Sequence, residues 1–165
     1  MEQAVARYSL LVPLAVACGV APALLSAQAA IPVGRWNANI RPMLAPSSGI
    51  GSATMRMYGS VTVTANRAGN PGSWVVEIRL TSDRPSETLL WAIAPGRCQS
   101  GAVAQIQANQ LPPLEVTANG TAEISTAANL ILSPGDSYHL DIFRNGQQQE
   151  NVVACATLKY SDKNK

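Results

Sequence analysis

Short runs of alternating apolar and polar residues make up most of the chain after residue 33. The clearest alternation spans residues 54–66 and 73–82, where apolar side chains take every second position and Thr, Ser, Arg or Glu the positions between. A period of two places successive side chains on opposite faces of a β-strand, so each run predicts a half-buried strand. The segment 68–72 between them is rich in Gly, Asn and Pro and predicts a turn. Together these segments predict a β-hairpin.

Further runs of the same kind predict additional strands, and no segment has the periodicity of an amphipathic helix. The predicted strands span residues 34–41, 54–66, 73–82, 88–94, 114–116, 121–132, 137–144 and 151–160, with one or two strands in 121–132. Residues 88–94 are almost continuously apolar, which is typical of a strand buried on both faces or packed under a loop. Seven or eight short strands predict a single all-β domain over residues 30–165, a Greek-key-type antiparallel β-sandwich.

Residues 1–29 have the features of a bacterial export signal. Arg7 precedes an uncharged stretch from Tyr8 to Leu25, and Ala27-Gln28-Ala29 offers the small residues that a signal peptidase accepts. Three residues interrupt the stretch and disfavour a membrane-spanning helix, namely Pro13, Gly19 and Pro22. We therefore predict cleavage near Ala29 and a periplasmic or secreted protein that has no membrane span after cleavage.

The chain has three cysteines, and their positions separate them into two groups. Cys18 lies within the export signal, where Leu14-Ala15-Val16-Ala17-Cys18 approaches a lipoprotein signal, although Ala15 stands where such signals usually have Leu. Lipid anchoring through Cys18 is therefore the less favoured alternative to its removal with the signal. Cys98 and Cys155 remain, and an even number in an oxidising compartment predicts a disulfide rather than two separate buried thiols.

Composition excludes some classes of partner. Charged residues make up 13 % of the chain and the net charge is +2, which is too weak and too scattered to indicate binding to nucleic acid. The C-terminal lysines Lys159, Lys163 and Lys165 are interpreted as a solvated tail. Four arginines fall on the polar faces of predicted strands, namely Arg35, Arg41, Arg56 and Arg79. A shared face of arginines could bind an anionic partner, but the interspersed Glu77 favours a solvated surface.

Several features occur in an order that resembles one known group of folds. An apolar strand ends in Gly96-Arg97-Cys98, Asn119-Gly120 forms a turn, and Val152-Val153-Ala154-Cys155 lies in a terminal strand. A turn of the type Leu-x-x-Gly-x-x-Tyr lies between them, at Leu132, Gly135 and Tyr138. This order resembles the CHRD-domain and Cu,Zn superoxide dismutase-like β-sandwiches, whose second cysteine also lies in the final strand. The resemblance implies their fold and the disulfide.

The same resemblance does not imply dismutase activity. Copper-zinc dismutases hold their metals with several histidines and an aspartate, whereas this chain has one histidine, His139. Residues 91–94 carry Ala and Ile where CHRD-like relatives often have a His-x-His pattern.

Two groups of residues are candidates for chemistry. His139 and Asp141 share one face of the predicted strand 137–144, which allows an imidazole oriented by a carboxylate but is more simply a solvated face. Met55 and Met57, with Met43 nearby, have the soft donors that select copper(I), yet they fall on an apolar strand face where core packing is the simpler explanation. Trp36, Trp74 and Trp91 fall on apolar phases and are predicted to anchor the core rather than to stack on a ligand.

No motif for a nucleophile elbow, a phosphate loop, a dinucleotide site or a Cys-x-x-Cys pair occurs in the chain. The sequence therefore predicts an exported, non-catalytic module with a binding or structural role, no cofactor, and a protein or envelope component as partner. The alternatives are a small copper-binding protein that uses His139, Met43, Met55 or Met57, and a degenerate dismutase-like enzyme.

Overall fold

The computed structural model describes residues 34–43, 56–68 and 72–162. Within them it contains eight β-strands: β1 (Arg35–Pro42), β2 (Met57–Ala65), β3 (Ser73–Ser82), β4 (Thr88–Pro95), β5 (Leu114–Glu115), β6 (Thr121–Asn129), β7 (Tyr138–Phe143) and β8 (Val152–Ser161). Two single-turn 3-10 helices span Ala108–Gln110 and Gln149–Asn151. The predicted export signal, including Cys18, and Met55 lie outside the described residues.

The strands form one antiparallel sheet in the order β5-β4-β7-β8-β1-β2-β3-β6, which curls into a nearly closed structure. The predicted hairpin is confirmed, because β2 pairs with β3 from Met57↔Ser82 to Ala65↔Trp74. Strands distant in sequence are also neighbours, since β3 pairs with β6 and β4 with β7. Such long connections between neighbouring strands are the Greek-key arrangement that the strand count predicts.

The segment predicted as one or two strands over 121–132 forms the single strand β6, which ends at Asn129. The Leu130 amide still donates to the carbonyl of Gly72, next to the start of β3, whereas the backbone groups of Ile131 bond instead to the side chain of Gln105. At the start of β6, Gly120 has φ +77°, and a Cβ at this position would come 2.6 Å from the carbonyl oxygen of Ser82. Glycine is therefore required at this turn.

One continuous core lies inside the curled sheet, and the three tryptophans belong to it as predicted. Trp36, Trp74 and Trp91 are at most 4 % exposed. The ring of Trp36 packs edge-on against Trp74, with ring centroids 4.9 Å apart, and against Tyr138 on β7, with centroids 6.4 Å apart. Aromatic contacts of this kind join the β1–β3 side of the sheet to the β7 side.

Strand β7 is buried on both faces, since all six of its residues are buried. One face points into the main core, and the segment between β4 and β5 covers part of the other. This cover is held by hydrogen bonds from the Gln105 amide to the carbonyl of Ile93 and from the Ala108 amide to Oε1 of Gln147. A second, smaller apolar cluster lies on this outer face and contains Ala92, Ala108, Phe143 and Val152.

The predicted disulfide between Cys98 and Cys155 is present, with the two Cα atoms 6.0 Å apart. It ties the start of the covering segment to β8. Within the described residues, no helix has the length and apolar run that crossing a bilayer requires.

The ladder between β1 and β8 opens in its middle. The two strands pair from Arg35↔Ser161 to Asn37↔Lys159, and again in the same register at Arg41↔Cys155 and Pro42↔Ala154. Residues 38–40 of β1 have no partner on β8, although they pair with β2 on their other side. This opening lies beside the disulfide.

Candidate functional site

A groove of about 680 Å³ lies on the outer face of β2, β1 and β8, next to the Cys98–Cys155 bond. We call it the disulfide groove. Its lining comprises Asn37, Ala38, Asn39, Arg41, Pro42, Met43, Ser60, Val61, Thr62, Cys98, Gln99, Cys155, Thr157 and Lys159. Most of its side-chain functional groups are amides and hydroxyls, with one cation near each end.

Strand alternation explains why polar residues line this groove. On β1, Trp36 and Ile40 enter the core, so Asn37, Asn39 and Arg41 project outwards. On β8, the buried residues Ala154, Ala156 and Leu158 face the core, so Cys155, Thr157 and Lys159 project to the same outer side. On β2, Ser60 and Thr62 lie beside Asn39 and Asn37 in the same outward phase. The polar side chains of the groove therefore come mainly from the outward faces of three neighbouring strands.

The charge of the groove is positive. Among the described residues, Arg41 and Lys159 are the only charged ones in its lining, and neither forms an ion pair with a carboxylate of that part of the chain. Lys159 is exposed, as a solvated residue would be, but it lies within β8, opposite Asn37, rather than in a tail after the last strand.

The four arginines predicted on polar faces are exposed, and Arg35, Arg41 and Arg79 project from the same outer side of the β1–β3 part of the sheet. Arg41 lies in the disulfide groove, whereas Arg79 on β3 forms an ion pair with Glu123 on β6, 2.8 Å away. A side-chain hydrogen bond from Arg79 to Glu123 raises the pKa of the arginine.

The wall formed by the covering segment is held by contacts to sulfur. The hydroxyl of Thr157 donates to Sγ of Cys98 at 3.4 Å, and Nε2 of Gln99 donates to Sδ of Met43 at 3.9 Å. Gln99 has a positive φ of 68°, a conformation that non-glycine residues rarely adopt. The disulfide thus places Gln99 against the end of β1.

His139 and Asp141 form a buried pair beneath the same covering segment. Their side chains are 1 % and 8 % exposed, and Nε2 of His139 lies 3.3 Å from Oδ2 of Asp141. The interpretation of this face as solvated is wrong, because the segment after β4 covers it. Nδ1 of His139 and Oδ1 of Asp141 are buried without a well-formed hydrogen bond. Asp141 also lines a cavity of about 210 Å³, which is bounded by residues 101–104 and by Gln107.

The pair changes the acidity of the imidazole. Burial lowers the pKa of His139, but the hydrogen bond and negative charge of Asp141, helped by the backbone of Gly96, raise it above its usual value overall. His139 therefore holds its proton more tightly than a free histidine does.

The surroundings of the pair supply few further donors for a metal. Ala94 pairs with His139 and Ala92 with Asp141 across β4 and β7, so methyl groups lie beside both. Within the described residues, no group of three or more His, Cys, Asp or Glu side chains is placed to hold a metal ion.

The two described methionines among the metal candidates, Met43 and Met57, lie in different places. Met57 is 1 % exposed in the main core, and Met43 lies in the disulfide groove. Met55 lies outside the described residues.

Sequence reasoning missed the disulfide groove. The available signal was the polar phase of residues 34–41, Asn37-x-Asn39-x-Arg41, which alternates with the core residues. That pattern shows an outward face but not which strand lies next to it.

These features define the class of the protein as an all-β domain with eight antiparallel strands in one nearly closed sheet and one disulfide. No family model matches the chain, and no curated protein matches it.

Proposed function

We propose that this protein is an exported, non-catalytic binding module that holds its ligand in the disulfide groove. The observation that carries the proposal is the set of outward amides and hydroxyls between two cations, Arg41 and Lys159, that have no carboxylate partner in the part of the chain that the structure describes. Thr157 and Gln99 are engaged with sulfur atoms of the groove wall. Among the described residues, the other amides and hydroxyls of the groove have no side-chain hydrogen bond to protein and are available to a ligand.

Rigidity of the groove supports the proposal. The side chains come from β1, β2 and β8, and sites built on strands hold their geometry better than sites on loops. The disulfide fixes the wall that carries Gln99. A groove organised before binding loses less entropy when the ligand arrives.

The test is a thermal-shift survey of the exported protein against probes of four classes: acidic oligosaccharides, neutral oligosaccharides, acidic peptides and anionic phospholipid vesicles. A ligand at about a hundredfold excess over its Kd stabilises by about 2.7 kcal/mol, which corresponds to a rise in Tm of about 5–10 °C. We expect such a rise with at least one class.

Two matched variants localise the binding. Ser60→Trp fills the disulfide groove, whereas Ser125→Trp places the same side chain on the exposed face of β6. We expect Ser60→Trp to abolish the shift and Ser125→Trp to retain it. A shift that survives Ser60→Trp, or no shift with any class, would refute a ligand site in this groove.

A second candidate function is metal binding by His139 and Asp141, as a small copper-binding protein or a degenerate dismutase-like enzyme. It is favoured by the two buried donor atoms, Nδ1 and Oδ1, that lack a well-formed hydrogen bond. The resemblance to CHRD-domain and dismutase-like sandwiches belongs to this proposal. Ala92 and Ala94 weigh against it, because they place methyl groups beside the pair.

Copper titration of the purified protein separates this candidate from the first. If it is correct, micromolar copper(I) or copper(II) binds at one equivalent, and His139→Gln abolishes the binding. The absence of binding at micromolar copper would exclude it.

A further inference from the structure

The charge and hydrogen-bonding pattern of the disulfide groove restricts the chemistry of its ligand. We infer that the groove binds a segment of an acidic oligosaccharide, with carboxylates near Arg41 and Lys159 and sugar hydroxyls between them. This inference rests on the proposed function of the groove and names the ligand class.

The spacing of the two cations indicates an extended ligand. Arg41 lies opposite Cys155 and Lys159 lies opposite Asn37, so the cations are four strand positions apart. At about 3.3 Å per residue this separation is about 13 Å along the strands. A chain with negative charges repeated at about this spacing can place one carboxylate beside each cation.

Electrostatics favour a negative ligand at both ends. Arg41 and Lys159 have no carboxylate partner among the described residues, and the groove lining contains neither Asp nor Glu. An incoming carboxylate therefore meets no competing anion within the groove. Arginine binds a carboxylate through two parallel hydrogen bonds, and lysine acts as a point charge.

The groups between the cations favour hydroxyls over a peptide. Each amide and hydroxyl side chain offers both a donor and an acceptor, which matches a sugar hydroxyl that is itself both. They are Asn37, Asn39, Gln99, Ser60, Thr62 and Thr157. A bound peptide needs a free strand edge or apolar pockets for its side chains. Here one edge of β1 pairs with β2 from Arg35 to Ile40. The other edge pairs with β8 in the same register on both sides of residues 38–40, so this short gap leaves no room for an added strand.

The experiment compares three probes by calorimetric titration of the exported protein: a galacturonate octamer, the same octamer with its carboxylates reduced to alcohols, and an oligoglutamate of similar length. We expect the acidic octamer to bind at least tenfold more tightly than the other two. We also expect its affinity to fall as salt is raised, because salt screens exposed charges.

Charge-neutralising variants test the two anchoring positions. Arg41→Gln and Lys159→Gln should each weaken binding of the acidic octamer about fivefold, in line with an exposed charge pair. Arg84→Gln removes an exposed arginine outside the groove and should leave the affinity unchanged.

The outcomes distinguish this inference from the proposed function. Equal binding of the reduced octamer, or tighter binding of oligoglutamate, overturns the acidic-saccharide assignment. If Ser60→Trp still abolishes binding of the preferred probe, the groove remains a ligand site. If none of the three probes binds, the inference fails, and the wider survey of ligand classes decides the proposed function separately.

Discussion

At the scale of single residues, the neighbour of an ionisable group decides its behaviour. The carboxylate of Asp141 lies 3.3 Å from Nε2 of His139 in a buried layer, and the two residues are two positions apart in the sequence. That spacing follows from strand alternation and could be predicted from the sequence. Burial of the pair could not, because it depends on a covering segment that begins after β4.

The raised pKa of His139 makes the stability of the fold depend on pH. A pKa that is higher in the folded than in the unfolded state means that protonation favours folding. This contribution is complete below the ordinary histidine pKa of about 6.5 and is lost as the pH rises through the folded-state value. We therefore expect the urea concentration at the midpoint of unfolding to decrease as the pH is raised from 6 to 9.

Two variants check this origin, since His139 is the only histidine in the chain. In Asp141→Asn, burial remains and the carboxylate charge is gone, so the pKa of His139 should fall. The urea midpoint of this variant should then increase, rather than decrease, as the pH is raised. In His139→Gln, this pH dependence of the urea midpoint should disappear. If wild type and His139→Gln show the same pH dependence, the pair does not contribute.

At the scale of elements, the segment between β4 and β5 has two structural roles. It covers the outer face of β7, and its residues Cys98 and Gln99 line one wall of the disulfide groove. The sequence indicates little of this, because residues 100–113 are small and polar and predict a loop. Only the bond to Cys155 and the hydrogen bonds of Gln105 and Ala108 reveal where the loop packs.

Removal of the disulfide should therefore weaken the whole fold and expose β7. The bond closes a long loop, 57 positions in sequence, and the chain-entropy model gives about 4 kcal/mol for its contribution. We expect the double variant Cys98→Ser with Cys155→Ser to lose about this amount in urea unfolding. Removal of the disulfide should also increase the rate of amide hydrogen exchange more in β7 than in β2 and β3.

Reduced wild-type protein is the matched control and should behave like the double variant. Equal stability of the oxidised and reduced proteins would contradict a stabilising role for this bond.

At the scale of the whole molecule, strand neighbours bring together residues that are distant in the chain. Arg41 and Lys159 are near opposite ends of the described residues, yet they line one groove because β1 pairs with β8. The same closure places Trp36 of β1 against Tyr138 of β7. The pairing of β1 with β8 thus forms both the disulfide groove, from polar side chains outside the sheet, and part of the core, from aromatic rings inside it.

The sequence by itself determined the strands, the buried tryptophans and the disulfide. These depend on local alternation of side chains and on the small number of cysteines, and both can be counted along the chain. Tertiary structure alone decided that His139 and Asp141 are buried, that Lys159 lies in a groove, and that the groove is positively charged. Each of these depends on which strand or segment lies next to another, and that is set by long-range packing rather than by the local pattern of residues.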